Sequence, residues 1–329
     1  MNKFVKRGCT VLLALTLALG MSVSAFAADT TDAAVQKIYR AANSGTTSPA
    51  ETFTFKVEKV SVTDGTKADG SPLTEADMPE LTISNADYNE GAASDTAVKN
   101  LTITPKTNFP NVGVYTYKVT EVAGDTAGVT YDNREMELKA TVHYADGKLV
   151  VDYAFRPDGA SGTKGKDIEN TYSAGALTVG KKVTGNLGDK NMKFDIDVTF
   201  TAPAGKTVKS TITLSDGTKI LPGEWQKNGT VTTVTKTISL KDNTSVKFEN
   251  VPYDVTYTVK EHDYKDYKVS YEGETGKINA SSATAGVINN KPGSVDTGVI
   301  LHSAPYVLLL VGVGAAAVAF LILKKHREV

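Results

Sequence analysis

A lysine, a glutamate and an asparagine recur at corresponding places in the two halves of the chain, and these three residue types together could form a crosslink. The trios are Lys37, Glu121 and Asn170, and then Lys181, Glu261 and Asn290. Burial disfavours charge, so a lysine in a dry core loses its proton and becomes a nucleophile, whereas a buried glutamate gains one. The neutral glutamic acid can then polarise the asparagine carbonyl. Attack by the amine expels ammonia and leaves an amide, and proximity supplies much of the rate without a cofactor.

The crosslink hypothesis depends on this repetition. A single trio would indicate ordinary surface residues, because exposed lysines and glutamates commonly pair in water with little energetic gain. Two trios at equivalent places favour the chemical interpretation. The strand that carries Lys37 is shorter and more polar than the one that carries Lys181. In the second trio, Lys182 and Asn289 are adjacent alternatives.

Strands and tight turns must position the trios, because alternation of apolar and polar residues with period two dominates between the two ends of the chain. Residues 114–120, 137–143 and 255–259 are examples. Asp146-Gly147 and Asn228-Gly229 are typical of tight turns between such strands. The pattern therefore predicts an all-β fold.

An internal repeat divides these strands into two copies. Residues 53–57 are similar to 193–198, 115–121 to 255–261, and 168–170 to 288–290. We therefore expect two tandem β-sandwich domains, an N-terminal one over residues 28–172 and a C-terminal one over residues 173–292. The connection at residues 173–175 is too short for a flexible linker, so we expect a stiff rod. If the first and last strands of each sandwich are neighbours, each lysine can meet its asparagine in the core.

The N-terminal segment, residues 1–27, has the pattern of a secretory signal peptide. Three basic residues precede a short apolar run, and small residues end the segment. We expect cleavage between Ala27 and Ala28. The alternative is an uncleaved N-terminal anchor, for which the apolar run is short.

The C-terminal segment, residues 293–329, looks like a Gram-positive cell-wall sorting signal. A polar pentapeptide at 294–298 precedes an apolar stretch at 304–323, which is long enough to cross a bilayer as a transmembrane helix. A basic tail at 324–329 follows, which the positive-inside rule keeps in the cytoplasm. The pentapeptide departs from the usual Leu-Pro-x-Thr-Gly at its first two positions. A permanent single-span anchor is the alternative.

Composition excludes several classes of function. The 329 residues carry a formal net charge of −1, which argues against a nucleic-acid partner. Cys9 is the single cysteine, and the four histidines are scattered, so disulfide frameworks and cysteine–histidine zinc sites are excluded. We expect no metal and no cofactor. A secreted enzyme is disfavoured, because the chain has no acid–base pair or metal cluster outside the two trios.

The chain resembles the streptococcal T-antigen type of major pilin. The stretches that carry the resemblance are Phe53-Thr54-Phe55-Lys56, Tyr117-Lys118-Val119-Thr120-Glu121, Leu177-Thr178-Val179, Lys181-Lys182-Val183, Thr297-Gly298-Val299 and Ala304-Pro305-Tyr306. The likeness covers essentially the whole mature chain. It implies Ig-like domains closed by intramolecular isopeptide bonds, Lys37 to Asn170 and Lys181 to Asn290. The catalytic acids would be Glu121 and Glu261.

The resemblance also implies how subunits join and where they are found. A sortase would cleave between Thr297 and Gly298, and a lysine of the next identical subunit would resolve the thioester. We expect that lysine to be Lys164, with Lys166 as the alternative. The product would be a pilus on the surface or cell wall of a Gram-positive bacterium, with the plasma membrane only a transient stage. The resemblance also implies minor pilins and peptidoglycan as further partners. The rival is a wall-anchored adhesin or basal pilin that does not polymerise.

Overall fold

A computed structural model describes residues 34–293, and every regular element there is a β-strand or a short 3-10 turn. The all-β prediction is therefore confirmed for this part of the chain. None of its helical segments has the length and apolar character needed to span a bilayer. The proposed signal peptide, with Ala27 and Ala28, lies outside the described residues, as do the pentapeptide with Thr297 and Gly298, the 304–323 stretch and the basic tail.

The first half contains twelve strands and one 3-10 turn at Glu75–Asp77. The strands are β1 (Val35–Ala41), β2 (Glu51–Phe53), β3 (Phe55–Thr63), β4 (Leu81–Ile83), β5 (Ala86–Tyr88), β6 (Val98–Leu101), β7 (Ile103–Pro105), β8 (Gly113–Glu121), β9 (Val129–Thr130), β10 (Met136–Ala145), β11 (Lys148–Arg156) and β12 (Asp167–Tyr172). They form one four-stranded sheet in the order β6-β1-β12-β9 and another in the order β11-β10-β8-β3. The pairs β2-β5 and β4-β7 add two small ribbons.

The second half contains eleven strands and one 3-10 turn at Pro222–Glu224. The strands are β13 (Ala174–Thr184), β14 (Phe194–Thr201), β15 (Ile212–Leu214), β16 (Lys219–Ile220), β17 (Gln226–Asn228), β18 (Val231–Leu240), β19 (Thr244–Pro252), β20 (Thr256–Glu261), β21 (Lys268–Glu272), β22 (Thr275–Lys277) and β23 (Ser282–Asn290). Their sheets have the orders β16-β15-β19-β13-β23-β21 and β17-β18-β14-β20-β22.

In each half the first and last strands are neighbours and run parallel. In the first, β1 pairs with β12 so that Lys37 lies opposite Ile168. In the second, β13 pairs with β23 so that Lys181 lies opposite Val287. Because the intervening strands bring the chain back beside its first strand, residues more than a hundred positions apart become neighbours. This adjacency is what the crosslink hypothesis requires.

The alternating side chains of these strands form two cores. Burial alternates without a break along β8, from Gly113 to Glu121, and along β14. The first core is rich in tyrosine and the second in phenylalanine; the largest fully buried aromatic residues are Tyr39, Phe53, Tyr115, Tyr117, Phe155, Tyr172, Phe194, Phe200 and Phe248. Alternation thus decides which polar residues of a strand are carried into the core.

The two halves meet through direct main-chain contacts. One residue, Ser173, separates β12 from β13. Beside this connection, Ala127 N–H donates to the carbonyl oxygen of Thr207 at 2.9 Å, and Thr207 N–H donates to that of Asp125 at 2.8 Å. Ala127, from the first half, packs in the core of the second. These contacts join the two halves on both sides of the connection.

Two buried lysine–glutamate–asparagine sites

The first trio meets in the core of the first sandwich. Lys37 Nζ donates a hydrogen bond to Glu121 Oε2 at 2.7 Å and another to Asn170 Oδ1 at 2.5 Å. Asn170 Nδ2 donates to the second carboxylate oxygen, Glu121 Oε1. Lys37 is 0% exposed and Asn170 is 1% exposed, so the three groups face one another without water. All three predicted residues of this site are brought together.

Strand register explains the meeting. The partner of Asn170 across the parallel pair is Tyr39, two residues beyond Lys37. Residues two apart on a strand share a face, so Lys37 and Asn170 both point into the core, offset by two residues. Glu121 is the last residue of β8 and lies on the opposite sheet, where it pairs with Phe55. Its carboxylate therefore approaches the other two side chains from across the sandwich.

The second trio has a similar construction, but Asn289 Oδ1 lacks the lysine hydrogen bond that Asn170 Oδ1 accepts. Lys181 Nζ donates to Glu261 Oε2 at 2.5 Å, and Asn289 Nδ2 donates to Glu261 Oε1 at 2.6 Å. Lys181 is 3% exposed and Asn289 is 0% exposed. Glu261 ends β20 and pairs with Ile196, as Glu121 pairs with Phe55 in the first site. The register thus repeats between the two halves, as the similarity of residues 53–57 to 193–198 predicts.

The prediction of Asn290 as the asparagine of the second site is wrong, because Asn289, the adjacent alternative, contacts Glu261. Ala285, Val287 and Asn289 share the buried face of β23, whereas Asn290 is on the other face and only half-buried. The error came from aligning residues 168–170 with 288–290. Period-two alternation was the available signal, since it groups Asn289 with Val287 as it groups Asn170 with Ile168.

The alternative lysine of the second site, Lys182, faces outward. Its Nζ donates to Asn243 Oδ1 at 2.8 Å, and its side chain is 31% exposed. Asn243 Nδ2 in turn donates to Asp242 Oδ2 at 2.9 Å. The outer face therefore carries a lysine, an asparagine and an acid in hydrogen-bond contact, but within reach of water.

Burial lowers the pKa of both core lysines from the ordinary value of 10.5. The neighbouring glutamate opposes this effect in each site, through its charge and its hydrogen bond, without cancelling it. A lowered pKa increases the fraction of neutral amine, which is the nucleophilic form.

An aromatic ring covers each lysine amine, a feature that the sequence analysis missed. Lys37 Nζ lies 4.5 Å from the centroid of Phe53, and Lys181 Nζ lies 4.4 Å from that of Phe194. Tyrosines contact each phenylalanine edge to face; they are Tyr39, Tyr88 and Tyr131 in the first site and Tyr264 and Tyr267 in the second. The alignment of residue 53 with residue 194 was the signal that could have found these rings.

The candidate lysines for joining subunits lie between β11 and β12. Lys164 is exposed in this segment. Lys166 is half-buried, and its carbonyl oxygen accepts a hydrogen bond from Gln36 N–H at 2.6 Å. Across residues 34–293, histidine, aspartate and glutamate side chains form no cluster of three that could hold a metal ion.

Each of the two tandem β-sandwiches holds a buried lysine on its first strand, an asparagine on its last strand and a glutamate on the facing sheet, which are the groups that an intramolecular amide crosslink requires. Comparison with known families agrees with this assignment. Residues 33–173 match the family described as Spy0128-like isopeptide containing domain. Residues 175–291 match a family described as a domain of unknown function.

The protein is a structural pilin subunit, and its first half matches the Spy0128-like isopeptide family. It is 29% identical over 296 residues to a pilin of Streptococcus pyogenes serotype M1, which covers 83% of this chain and 85% of the relative. The crystal structure of the major pilin from Streptococcus pyogenes shares the fold, with a TM-score of 0.52 and 24% identity, over 79% of this chain and 98% of that one. A Streptococcus pyogenes pilus tip adhesin is 30% identical over 98 residues, 30% of this chain and 13% of the adhesin.

Proposed function

We propose that this pilin is the repeating shaft subunit of a covalent pilus, and that each of its sandwiches is closed by a self-formed Lys–Asn isopeptide bond. The observation that carries the proposal is the pair of buried trios, each linking the first strand to the last. Ordinary core packing would not place a lysine amine, a carboxyl and a carboxamide together twice, because uncrosslinked they leave charge or polar groups in a dry interior.

In the first site the amine of Lys37 passes a proton to Glu121 and then attacks Cγ of Asn170. The protonated Glu121 polarises the carboxamide and donates its proton to Nδ2 as the Cγ–Nδ2 bond breaks. The new Nζ–Cγ bond releases the second amine proton, which returns to Glu121. The products are one amide and one ammonia, so no oxidant, metal or cofactor is needed.

In the second site the nucleophile is Lys181, the proton carrier is Glu261 and the reacting carboxamide is that of Asn289. The Asn289 Oδ1 atom is buried and has no hydrogen-bond partner among the described residues. Buried carbonyl oxygens are normally paired, so this open oxygen marks a carboxamide that packing alone does not satisfy.

Intact mass tests the crosslinks. Each bond expels one ammonia, so the folded ectodomain, residues 28–293, is expected about 34 Da lighter than its sequence mass. A peptide digest then locates the bonds at Lys37–Asn170 and Lys181–Asn289. A folded product with its full sequence mass would refute the crosslink proposal.

The strand directions suit a subunit that is pulled from its ends. β12 leads through Ser173 into β13, and β23 runs parallel to β13, so the chain leaves the second sandwich at the end away from the junction. A bond between Lys181 and Asn289 passes force directly from β13 to β23. The strands between them then carry no load.

We further propose that a sortase joins Thr297 of one subunit to Lys164 of the next, after secretion by the signal peptide and transient retention by the C-terminal span. Lys164 precedes the end of β12 that is away from the junction. Lys164 and the end of β23, where the chain leaves the second sandwich, therefore belong to opposite ends of the two-domain body. Such a contact is heterologous, so it does not close and propagates as a filament. Minor pilins and peptidoglycan would be further attachment points.

Polymerisation is tested by co-expression with a pilus sortase and separation in denaturing gel. Lys164→Ala should abolish the high-molecular-weight ladder, while Lys166→Ala, the matched control, should leave it. Loss of the ladder only in Lys166→Ala would move the acceptor to that residue. A single wall-linked species without any ladder in the unaltered protein would favour the adhesin or basal pilin, an alternative that the partial similarity to a tip adhesin supports.

A further inference from the structure

A second buried acid lies beside the first trio. The side chain of Asp132, in the segment between β9 and β10, is 5% exposed. Its main-chain N–H donates to Glu121 Oε1 at 3.3 Å, so the same residue contacts the proposed proton carrier directly. Its carboxylate charge also raises the pKa of Lys37, against the larger effect of burial. An uncompensated charge here would therefore favour the unreactive ammonium form of Lys37.

Arg134 neutralises that acid with a fork of hydrogen bonds. Arg134 Nε donates to Asp132 Oδ1 at 3.0 Å, Nη2 donates to Oδ2 at 2.6 Å, and the main-chain N–H of Arg134 donates to Oδ1 at 3.0 Å. On its outer side, Nη1 donates to Asp158 Oδ1 at 2.6 Å, which anchors the guanidinium to the segment that carries Lys164. Paired charges of this geometry cancel at short range, because the fork matches both carboxylate oxygens.

Directions of the pKa shifts agree with this geometry. Burial opposes ionisation of Asp132, but the hydrogen bonds and charge of Arg134 outweigh it and lower the pKa of Asp132. The charge of Arg134 also lowers the pKa of Lys37, the opposite of what Asp132 does. Asp132 therefore stays ionised, and Arg134 limits its influence on the lysine.

The second site has a similar buried acid with different partners. Asp242 is 8% exposed, and its charge raises the pKa of Lys181 against the larger effect of burial. Val183 N–H donates to Asp242 Oδ1 at 2.8 Å, and Asn243 Nδ2 donates to Oδ2 at 2.9 Å. A compensated acid near the reactive lysine is thus common to both sites, whereas the arginine belongs to the first.

We propose that Arg134 is a positioning residue for the first crosslink: by cancelling the charge of Asp132 it frees Lys37 to react, while the Asp132 main chain orients Glu121. The inference rests on the proposed isopeptide chemistry. In this proposal Arg134 affects the rate of bond formation through its charge and not through packing. The N–H of Asp132 that orients Glu121 is a main-chain group, so it is still present when either side chain is replaced.

The test compares Arg134→Gln with Arg156→Gln during cell-free synthesis of residues 28–293, with timed acid quenching and peptide mass spectrometry. Arg156 is the matched control, since it pairs with the buried Glu137 at 2.5 Å in the same domain. We expect the Lys37–Asn170 bond to form at least about tenfold more slowly in Arg134→Gln, the effect of one pKa unit on the neutral amine. The Lys181–Asn289 bond should form at its normal rate in both variants.

The double variant Asp132→Asn/Arg134→Gln separates charge from structure. Removing both charges should restore the rate of the first bond, because Asp132 then no longer favours the charged form of Lys37. Failure of this rescue, with the second bond complete as evidence of a folded chain, would overturn the proposal, as would a normal rate in Arg134→Gln alone. Absence of both bonds from the unaltered protein would instead refute the proposed function.

Discussion

Asn289 lies two residues beyond the residue opposite Lys181, which is Val287, on the same face of the parallel pair β13 and β23. Asn170 has the same relation to Lys37, whose opposite residue is Ile168. Two sandwiches with different cores therefore place amine and carboxamide at the same offset. The glutamate of the facing sheet completes each site from the same direction.

This relation predicts which asparagine reacts in the second domain. Asn289→Ala should abolish the second bond, so the ectodomain should gain about 17 Da relative to the doubly crosslinked protein, beyond the mass of the substitution. Asn290→Ala is the matched control, because Asn290 is on the opposite face of β23. Its mass should show both bonds. Loss of a bond in the control would reverse the assignment.

Loss of the second bond should also lower stability. A crosslink that closes a loop of about 100 residues restricts the unfolded chain, and the loop-entropy argument used for disulfides gives about 4–5 kcal/mol. Urea unfolding of Asn289→Ala, followed through Trp225 in the second domain, should show a free energy of unfolding lower by about that amount. Equal midpoints for this variant and Asn290→Ala would contradict the prediction.

Glu121→Gln should block the first bond while leaving the second. Glutamine preserves the size and most hydrogen bonds of the side chain but cannot carry a proton between Nζ and Nδ2. Glu137→Gln is the control, since Glu137 is a buried acid of the same domain that pairs with Arg156 instead. Peptide mass spectrometry should find a free Lys37 in the first variant and none in the second. A complete first bond in Glu121→Gln would exclude Glu121 as the proton carrier.

The outer group of Lys182, Asp242 and Asn243 should remain unreacted. Its side chains make hydrogen bonds like those of the core sites, but water reaches Lys182 and solvates its ammonium form. Intact mass should therefore show two ammonias lost and not three. Detection of a Lys182–Asn243 crosslinked peptide would show that contact suffices and that burial does not decide reactivity.

The lowered lysine pKa values predict a pH-dependent stability when the bonds cannot form. In Asn170→Ala/Asn289→Ala both amines remain free, and burial lowers their folded pKa below the ordinary 10.5. Between the lowered value and 10.5 the unfolded chain binds more protons than the folded one. The free energy of unfolding should therefore rise with pH across that window.

Urea midpoints of the double variant and the unaltered protein, measured from neutral pH to pH 10, check this dependence. In the unaltered protein the two amines are amides and do not titrate. The gap between the proteins should narrow as pH rises. Parallel curves would show that the buried amines do not lose protons on folding.

The sequence by itself predicted the all-β class, and it singled out Lys37, Glu121, Asn170, Lys181 and Glu261, which folding brings into the two cores. These depend on local alternation and on similarity between the two halves, both of which are visible in the order of residues. Alternation also held the information that Asn289 faces the core, but matching by residue type shifted the alignment by one position. A shift of one residue on a strand exchanges its two faces.

Only the tertiary structure decided what surrounds the trios. Asp132 and Arg134 come from the connection between β9 and β10, and Asp242 comes from a turn between β18 and β19. Such segments have no period that relates them to a distant strand. Their charges act on Lys37 and Lys181 because folding closes the sandwich around them, and distance and burial, which determine the strength of that action, exist only in the folded chain.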